Sequence, residues 1–354
     1  FRSNEGLPYF DTVIYRFVGV DASVNSAGLI SGECDILDTT TLLDDRVEFL
    51  IALSETGIIS AKFVTSTVWE HLDFGIVHSD YDDGFDIDTD RPDLFGDIRT
   101  RQGIAYCIDR QTIIDSLLFG QSKILNSYIP NDHPLFNPEV PEYNFDIGKG
   151  AQFLADAGWI YGSDSFRYAN GVKGVPDGTR LELEMYTTSA VMRQKVSSQI
   201  AGTLAKCGVD VNVSLMSPGD LFAGGQSSVM FGRNFDLAEF AWWTDVEPPC
   251  DLFLSGAIPN KWNNFEGYNV SGFTNPKYDQ ACTRALSSLP GEEGYLENHL
   301  LAQKIFMDDL PVFPLFQRIK MAASRVDLCG FILDQSNPVS TWNIENFTLG
   351  TNCK

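Results

Sequence analysis

Apolar positions along the chain recur with periods near two and near 3.6, and the switches between them mark out the elements. "TVIYRFVG" (12–19) is a β-branched and aromatic run and predicts a strand. "DASVNSAGLISG" follows as a helix, with Asp21 placed to cap its start and Gly32 its end. "CDIL" adds a short strand, which makes one unit of an open α/β sheet. Residues 97–120 carry apolar side chains at 104, 108, 113, 114, 117 and 118 and predict one long helix or two abutting ones. A further short helix over 146–159 is capped by Asp146 and stopped by Gly158.

The pattern then tightens. "LELEMYTT" (181–188) alternates as a strand, residues 189–208 read as a helix ending at Gly208, and "VDVNVSLM" (209–216) is a second strand. "SPGDLFAGG" is a helical turn and "FDLAEFAWW" (235–243) a third strand. Such a β-α-β-α-β run is a doubly wound half-domain, in which ligands gather outside the carboxyl ends of the strands. Trp242, Trp243 and Asp245 lie at that end of the third strand, and Thr187 and Thr188 at that of the first. A Gly-, Asn- and Tyr-rich loop leads to a helix at Pro276 and another over 296–309, and "LPVFPLF" and "KMAASRVDLCGF" read as closing strands.

With 354 residues, 44% of them hydrophobic, the chain has material for two or three domains. A formal charge of −23 excludes nucleic acid as a main partner, since phosphate binding needs a basic face. No apolar run approaches the roughly 20 residues of a membrane span. The opening "FRSNEGLPYF" is polar and has no initiating Met, so it reads as cut from a longer precursor. Eight aspartates fall between Asp80 and Asp97, with Arg91 the only cation. The spacing fails as a calcium loop, because the positions ahead of Gly84 hold Ser79, Tyr81 and Asp83, and an acidic linker between lobes is expected instead.

The seven cysteines show no CxxC spacing and the four histidines no HExxH, so no metal site is expected. Cys107 and Cys207, inside apolar helical patterns, read as buried free thiols, with disulfides in an exported protein as the other reading. Hydrolase and nucleotide-binding motifs are absent. Asp245, Glu247 and Asp251 beside tryptophans would suit a glycosidase, but acidic residues are so abundant that any loop offers such a cluster. Binding asks less: an indole supplies flat apolar area and a neighbouring carboxylate holds an ammonium group. Alternation along a strand puts one indole of the pair in the core. The reading taken is that Trp243 packs while Trp242 and Asp245 line a cleft, with Trp262, Asn264, Tyr268, Thr187 and Glu247 as further lining.

Several stretches together resemble the extracellular solute-binding proteins of ABC importers, family 5, the dipeptide- and oligopeptide-binding type. They are "SAGLISGECDI" (26–36), "TRQGIAYCIDRQTII" (100–114), "GAQFLADAGW" (150–159), "LAKCGVDVNV" (204–213), "GFTNPKYDQAC" (272–282) and "PVFPLF" (311–316). The resemblance implies an α/β, periplasmic-binding-protein-like two-lobed fold (class II, peptide-binding type) that closes by a hinge. It implies a chain lacking the family's amino-terminal portion: a partial lobe I (1–95 and 316–354) around a complete lobe II (96–315). "WWTDVEP" is similar to a Trp-x-x-Asp segment of the family's peptide binders, which gives Trp242 to the pocket wall and Asp245 to the peptide's α-ammonium.

The implied function is non-enzymatic and needs no cofactor. A small ligand, a peptide or alternatively an oligosaccharide or metal complex, is captured and handed to ABC permease subunits. The protein would be a monomer, periplasmic or extracellular, and tethered to a membrane through its missing amino-terminal segment. The alternatives are an extracellular carbohydrate-active hydrolase using Asp245 and Glu247, and a ligand sensor that presents its closed form to a receptor. Outside the cytosol a disulfide between Cys250 and Cys282 is expected, rimming the pocket and holding Trp262, Asn264 and Tyr268 near Asp245; Cys329 with Cys353 is a second candidate pair.

Overall fold

The computed structural model describes residues 2–19, 21–41, 43 and 46–350. Its helices are α1 (Ala22–Ser31), α2 (Val47–Glu55), α3 (Ile98–Tyr106), α4 (Arg110–Leu117), α5 (Ile147–Asp156), α6 (Val191–Lys206), α7 (Pro218–Leu221), α8 (Pro276–Leu286) and α9 (Tyr295–Asp309). The strands are β1 (Ile36–Leu37), β2 (Ser60–Phe74), β3 (Trp159–Tyr161), β4 (Arg167–Ala169), β5 (Glu182–Thr188), β6 (Asp210–Met216), β7 (Leu237–Trp243), β8 (Val312–Ser324), β9 (Leu328–Cys329) and β10 (Thr348–Leu349). The chain divides into two compact units. One comprises Phe1–Thr67, Ile114–Lys123 and Arg318–Lys354, the other Val68–Ile113 and Ile124–Gln317.

In the first unit, the Asp21 carboxylate accepts the amides of Ser23 and Val24 and so satisfies two donors at the start of α1. Gly32 closes that helix at φ 80°, a left-handed conformation that glycine adopts without cost. β1 pairs antiparallel with the end of β8, Ile36 opposite Ser324 and Leu37 opposite Ala323. The apolar centre is Ala322, Leu328, Phe331, Leu333 and Phe347. Residues 12–19, expected as a strand, have no strand pairing: Ile14 is 80% and Phe17 103% exposed. A β-branched run becomes a strand only where a neighbouring backbone offers a ladder.

In the second unit the strands lie in the order β2-β7-β5-β6. β5 runs parallel to β6, with Glu182 opposite Asp210, and parallel to β7, with Met185 opposite Leu237. This is the doubly wound half expected from the periodicity. β7 also pairs antiparallel with β2 along Val68–Phe74, which the sequence reading did not anticipate; nor did it anticipate α2 or the β3–β4 pair. α3 and α4 are separate helices, because Asp109 accepts the Thr112 amide at 2.9 Å and starts a new one. α3 crosses α5 so closely that a Cβ at Gly150 would lie 2.4 Å from the Cys107 sulfur and 2.8 Å from the Gly103 carbonyl.

The acidic stretch 80–97 falls within the second unit rather than between units and is exposed over 82–89, and several of its aspartates accept hydrogen bonds. Asp82 takes both carboxylate oxygens to Arg233 at 2.6 Å, Asp93 accepts the Gly96 amide at 2.8 Å, and Asp97 caps α3. Cys107 and Cys207 are fully buried as expected but are not free: they form a disulfide with Cα atoms 6.2 Å apart. Each follows the last turn of its helix, α3 or α6, and the fold brings the two helix ends together. Cys250 and Cys282 are also joined, Cα to Cα 5.7 Å. The Cys329–Cys353 pairing involves Cys353, which lies outside the described residues. No helix among the described residues is long and apolar enough to cross a membrane.

Candidate functional site at the end of strand β7

Strand β7 carries the candidate site, and its pleat decides where each indole goes. Ala238, Phe240 and Trp242 share one face, and they pack with Leu221, Met230, Phe235 and Val270. Trp242 is half-buried against this cluster, directly opposite Trp69 of β2, with Tyr268 edge-on at 5.6 Å. Trp243 turns to the other face and is 64% exposed. The assignment of the pair is therefore reversed in part: Trp242 is the packed indole, and Trp243, expected in the core, is open. The two rings touch at 6.0 Å, so Trp243, Trp242 and Tyr268 form one aromatic row.

Asp245, exposed, follows in a turn held from several sides. Thr244 is buried and its hydroxyl donates to the Tyr128 carbonyl at 3.2 Å. The Asp245 carboxylate accepts the Val246 amide at 2.8 Å. His133 accepts the Leu135 amide on Nδ1 at 3.1 Å, and its ring lies near the backbone of Val246 and Asp245. Glu247 does not face outward as an unengaged carboxylate. One oxygen takes His299 Nε2 at 2.7 Å and the other the Tyr295 hydroxyl at 3.0 Å, both from α9. Burial pushes both imidazoles below their ordinary pKa, so both are neutral at neutral pH.

The loop beyond is pinned by the Cys250–Cys282 bond and by Tyr278, whose hydroxyl donates to the Cys250 carbonyl at 2.7 Å. Buried Asn269 gathers it further, donating to the carbonyls of Phe253, Leu254 and Phe273. Trp262 is 85% exposed with the Lys261 ammonium 5.0 Å from its ring centre, and Asn264 is exposed at φ 54°. Among the described residues no hydrogen bond or ring contact joins these two to Trp242 or Asp245.

Thr187 is fully buried and its hydroxyl donates to Glu239 rather than lining a surface. Behind it sits a cluster the sequence reading missed. Glu70 of β2 and Glu239 of β7 are both buried, and Arg193 reaches both Glu70 oxygens at 3.3 Å and the Thr188 hydroxyl at 3.2 Å. Burial first, and then the neighbouring Glu70 charge, raise the Glu239 pKa well above 4.5. A carboxyl whose pKa is raised on folding makes the native state bind more protons than the unfolded chain, so stability falls as pH climbs above about 4.5. Glu239→Gln, held neutral, is expected to flatten that decline, which for one proton is at most about 1.4 kcal/mol per pH unit. Urea midpoints across a pH series measure it; parallel curves for the two proteins would refute the assignment.

Among the described residues no group of three or more His, Cys, Asp and Glu side chains converges to hold a metal ion. The arrangement is an aromatic row of Trp243, Trp242 and Tyr268 at the end of β7, followed in the chain by a turn with an exposed carboxylate at Asp245.

The family model for bacterial extracellular solute-binding proteins, family 5 middle, matches residues 3–264. Oligopeptide-binding protein AppA of Bacillus subtilis is 23% identical over 326 residues, 90% of this chain and 53% of that protein. An oligopeptide-binding protein from Thermus thermophilus, solved with a pentapeptide, superposes with a TM-score of 0.74 at 25% identity, covering 94% of this chain and 56% of that one. NikA from Brucella suis, solved with Fe(III)-EDTA, also gives 0.74, at 18% identity, covering 93% and 60%. The chain thus spans about half the length of the curated relatives it matches.

Proposed function

Since the chain belongs to the bacterial extracellular solute-binding proteins of family 5, we propose that it is the capture component of an ABC importer for peptides with a free amino terminus. The Trp243–Trp242–Tyr268 row offers aromatic area to the ligand, and Asp245 holds its ammonium group. Closure of the two-lobed fold would retain the ligand until membrane permease subunits accept it. Export to the periplasm or cell exterior, and a membrane tether, belong to the same proposal.

The observation that carries the reading is an exposed carboxylate three residues beyond a half-buried indole, on a turn braced by Thr244 and α9. Such preorganisation reduces the ordering cost of binding. Glu247, with both oxygens engaged by His299 and Tyr295, favours capture over hydrolysis by an Asp245–Glu247 pair. The test is calorimetric titration of the intact protein with alanine peptides of two to five residues and with their N-acetylated forms. Asp245→Asn is expected to weaken binding of the free-amine peptides by about 10- to 100-fold, the size of one charge-assisted hydrogen bond. Equal affinity for acetylated peptides, or an unaffected Asp245→Asn variant, would sink the reading.

A further inference from the structure

We infer that Glu247 is a positioning residue, the centre of a clasp through which helix α9 fixes the turn bearing Asp245; its value for ligand capture rests on the function proposed above. The geometry is specific. Glu247 lies two residues beyond Asp245 and joins two buried polar groups one helical turn apart, Tyr295 and His299, whose rings meet edge-on at 4.8 Å. Nε2 of His299 has Glu247 as its partner, and Nδ1 has none among the described residues. With Glu247 ionised, Nε2 is the donor, and protonating His299 would place a second N–H on a buried atom with no acceptor. His133 also lies beside this turn, near the backbone of Asp245 and Val246. α9 is itself fixed, because Gln303 donates to the Leu135 carbonyl at 2.7 Å and accepts the Asn137 amide at 3.0 Å. The segment bearing His133 and the helix bearing His299 are thereby one framework, and the Asp245 turn hangs between them.

The ionisable groups facing Glu247 are His299 and Tyr295 from α9, and those facing its turn are His133 and Asp245. None is a lysine or arginine, so the Glu247 charge is matched by hydrogen bonds alone. A neutral amide can still bond both groups, its oxygen accepting from His299 Nε2 and its NH2 donating to the Tyr295 hydroxyl oxygen, whereas a methyl group bonds neither. That separates a clasp from a ligand contact, in which the carboxylate charge itself would be needed.

The experiment compares Glu247→Ala and Glu247→Gln in the intact protein by two measurements. Hydrogen exchange of the segment 244–252, which needs no ligand, is expected to quicken about tenfold in Glu247→Ala and to stay within about threefold in Glu247→Gln. The preference for free-amine over N-acetylated alanine peptides is expected to fall about tenfold in Glu247→Ala and to be restored by Glu247→Gln. Unchanged exchange in Glu247→Ala would overturn the clasp. So would a Glu247→Gln variant that loses as much preference as Glu247→Ala, because the charge would then touch the ligand directly. If Asp245→Asn leaves the preference intact while Glu247→Ala still quickens exchange, the clasp stands and the ammonium site falls.

Discussion

Arg110→Met is expected to destabilise the second unit by about 3–5 kcal/mol, through backbone carbonyls left without donors in a buried site. Arg110 is 3% exposed, and its guanidinium donates to the carbonyls of Leu125, Pro314 (2.8 Å) and Tyr143 (3.0 Å). The Phe313 ring lies 4.5 Å from the guanidinium carbon and covers its flat face. Burial lowers the pKa to about 9, so the group keeps its charge at neutral pH. Its hydrogen bonds go to no carboxylate among the described residues; the positive charge is solvated by three peptide dipoles from three separate stretches of chain. Methionine preserves apolar volume and supplies no donor, so the carbonyls bear the full cost, roughly 1–3 kcal/mol each before relaxation. Lysine keeps the charge but replaces a planar fork with a single ammonium, and an intermediate loss is expected. Urea midpoints at unchanged slope measure both variants; a methionine variant within about 1 kcal/mol of the parent would mean the carbonyls find water instead.

The same residue shows what a sequence conveys and what it withholds. "CIDRQ" was prominent enough to carry a family resemblance, yet nothing local says that its arginine points inward, because its acceptors lie up to 204 residues away. Elements governed by near neighbours were legible. Asp21 and Asp146, read as caps, do cap helices through bonds two or three residues long, and the alternation of β5 and β6 needs only its own residues. β2 escaped because "SAKFVTSTVWEHLDF" mixes charges with apolar residues along its length. The charged end makes sense only once Arg193 and Asp73 are in place around Glu70 and His71. Conversely, 12–19 has ideal strand composition and no ladder beside it.

The site was legible in position more than in detail. Topology points to the carboxyl end of β7, and the fold puts Trp242, with Tyr268 edge-on to it, at the end of that strand and Asp245 in the turn just beyond. Trp243, expected in the core, is the open indole and Trp242 the half-buried one, because alternation says that one faces the core without saying which. The answer depends on the cluster contributed by Leu221, Met230 and Val270. His133 and His299 read as scattered residues, since the signal that unites them is the turn at 245–247, which His299 holds and His133 lies beside. Thr187 at a strand end looked like lining and proves to serve Glu239, a partner 52 residues away.

Loss of the Cys107–Cys207 bond is expected to lower stability more than loss of Cys250–Cys282. The two bonds close segments of 100 and 32 residues. In the chain-entropy model those lengths correspond to about 4.7 and about 3.7 kcal/mol of denatured-state restriction. Native-state effects modify both figures. Both cysteines of the longer loop are fully buried, so paired alanines leave a small cavity between α3 and α5, beside Gly150, that adds to the cost. In the opposite direction, buried Arg167 holds the end of α6 independently, donating to the carbonyls of Cys207 at 2.7 Å, Trp159 at 2.6 Å and Ala151 at 3.2 Å. The helix end therefore stays in place when the bond is cut, and the loss falls on the unfolded chain rather than on the fold. The shorter bond differs in consequence, because it anchors the loop carrying Trp262 and Tyr268. Cys250→Ala with Cys282→Ala is expected to cost about 3–4 kcal/mol and to weaken the proposed peptide capture, whereas the Cys107→Ala, Cys207→Ala pair should leave that capture intact at temperatures where the protein stays folded. Urea denaturation and peptide titration of the two double variants decide the matter. Equal destabilisation, or lost capture in the Cys107–Cys207 variant while it remains folded, would contradict this division of labour.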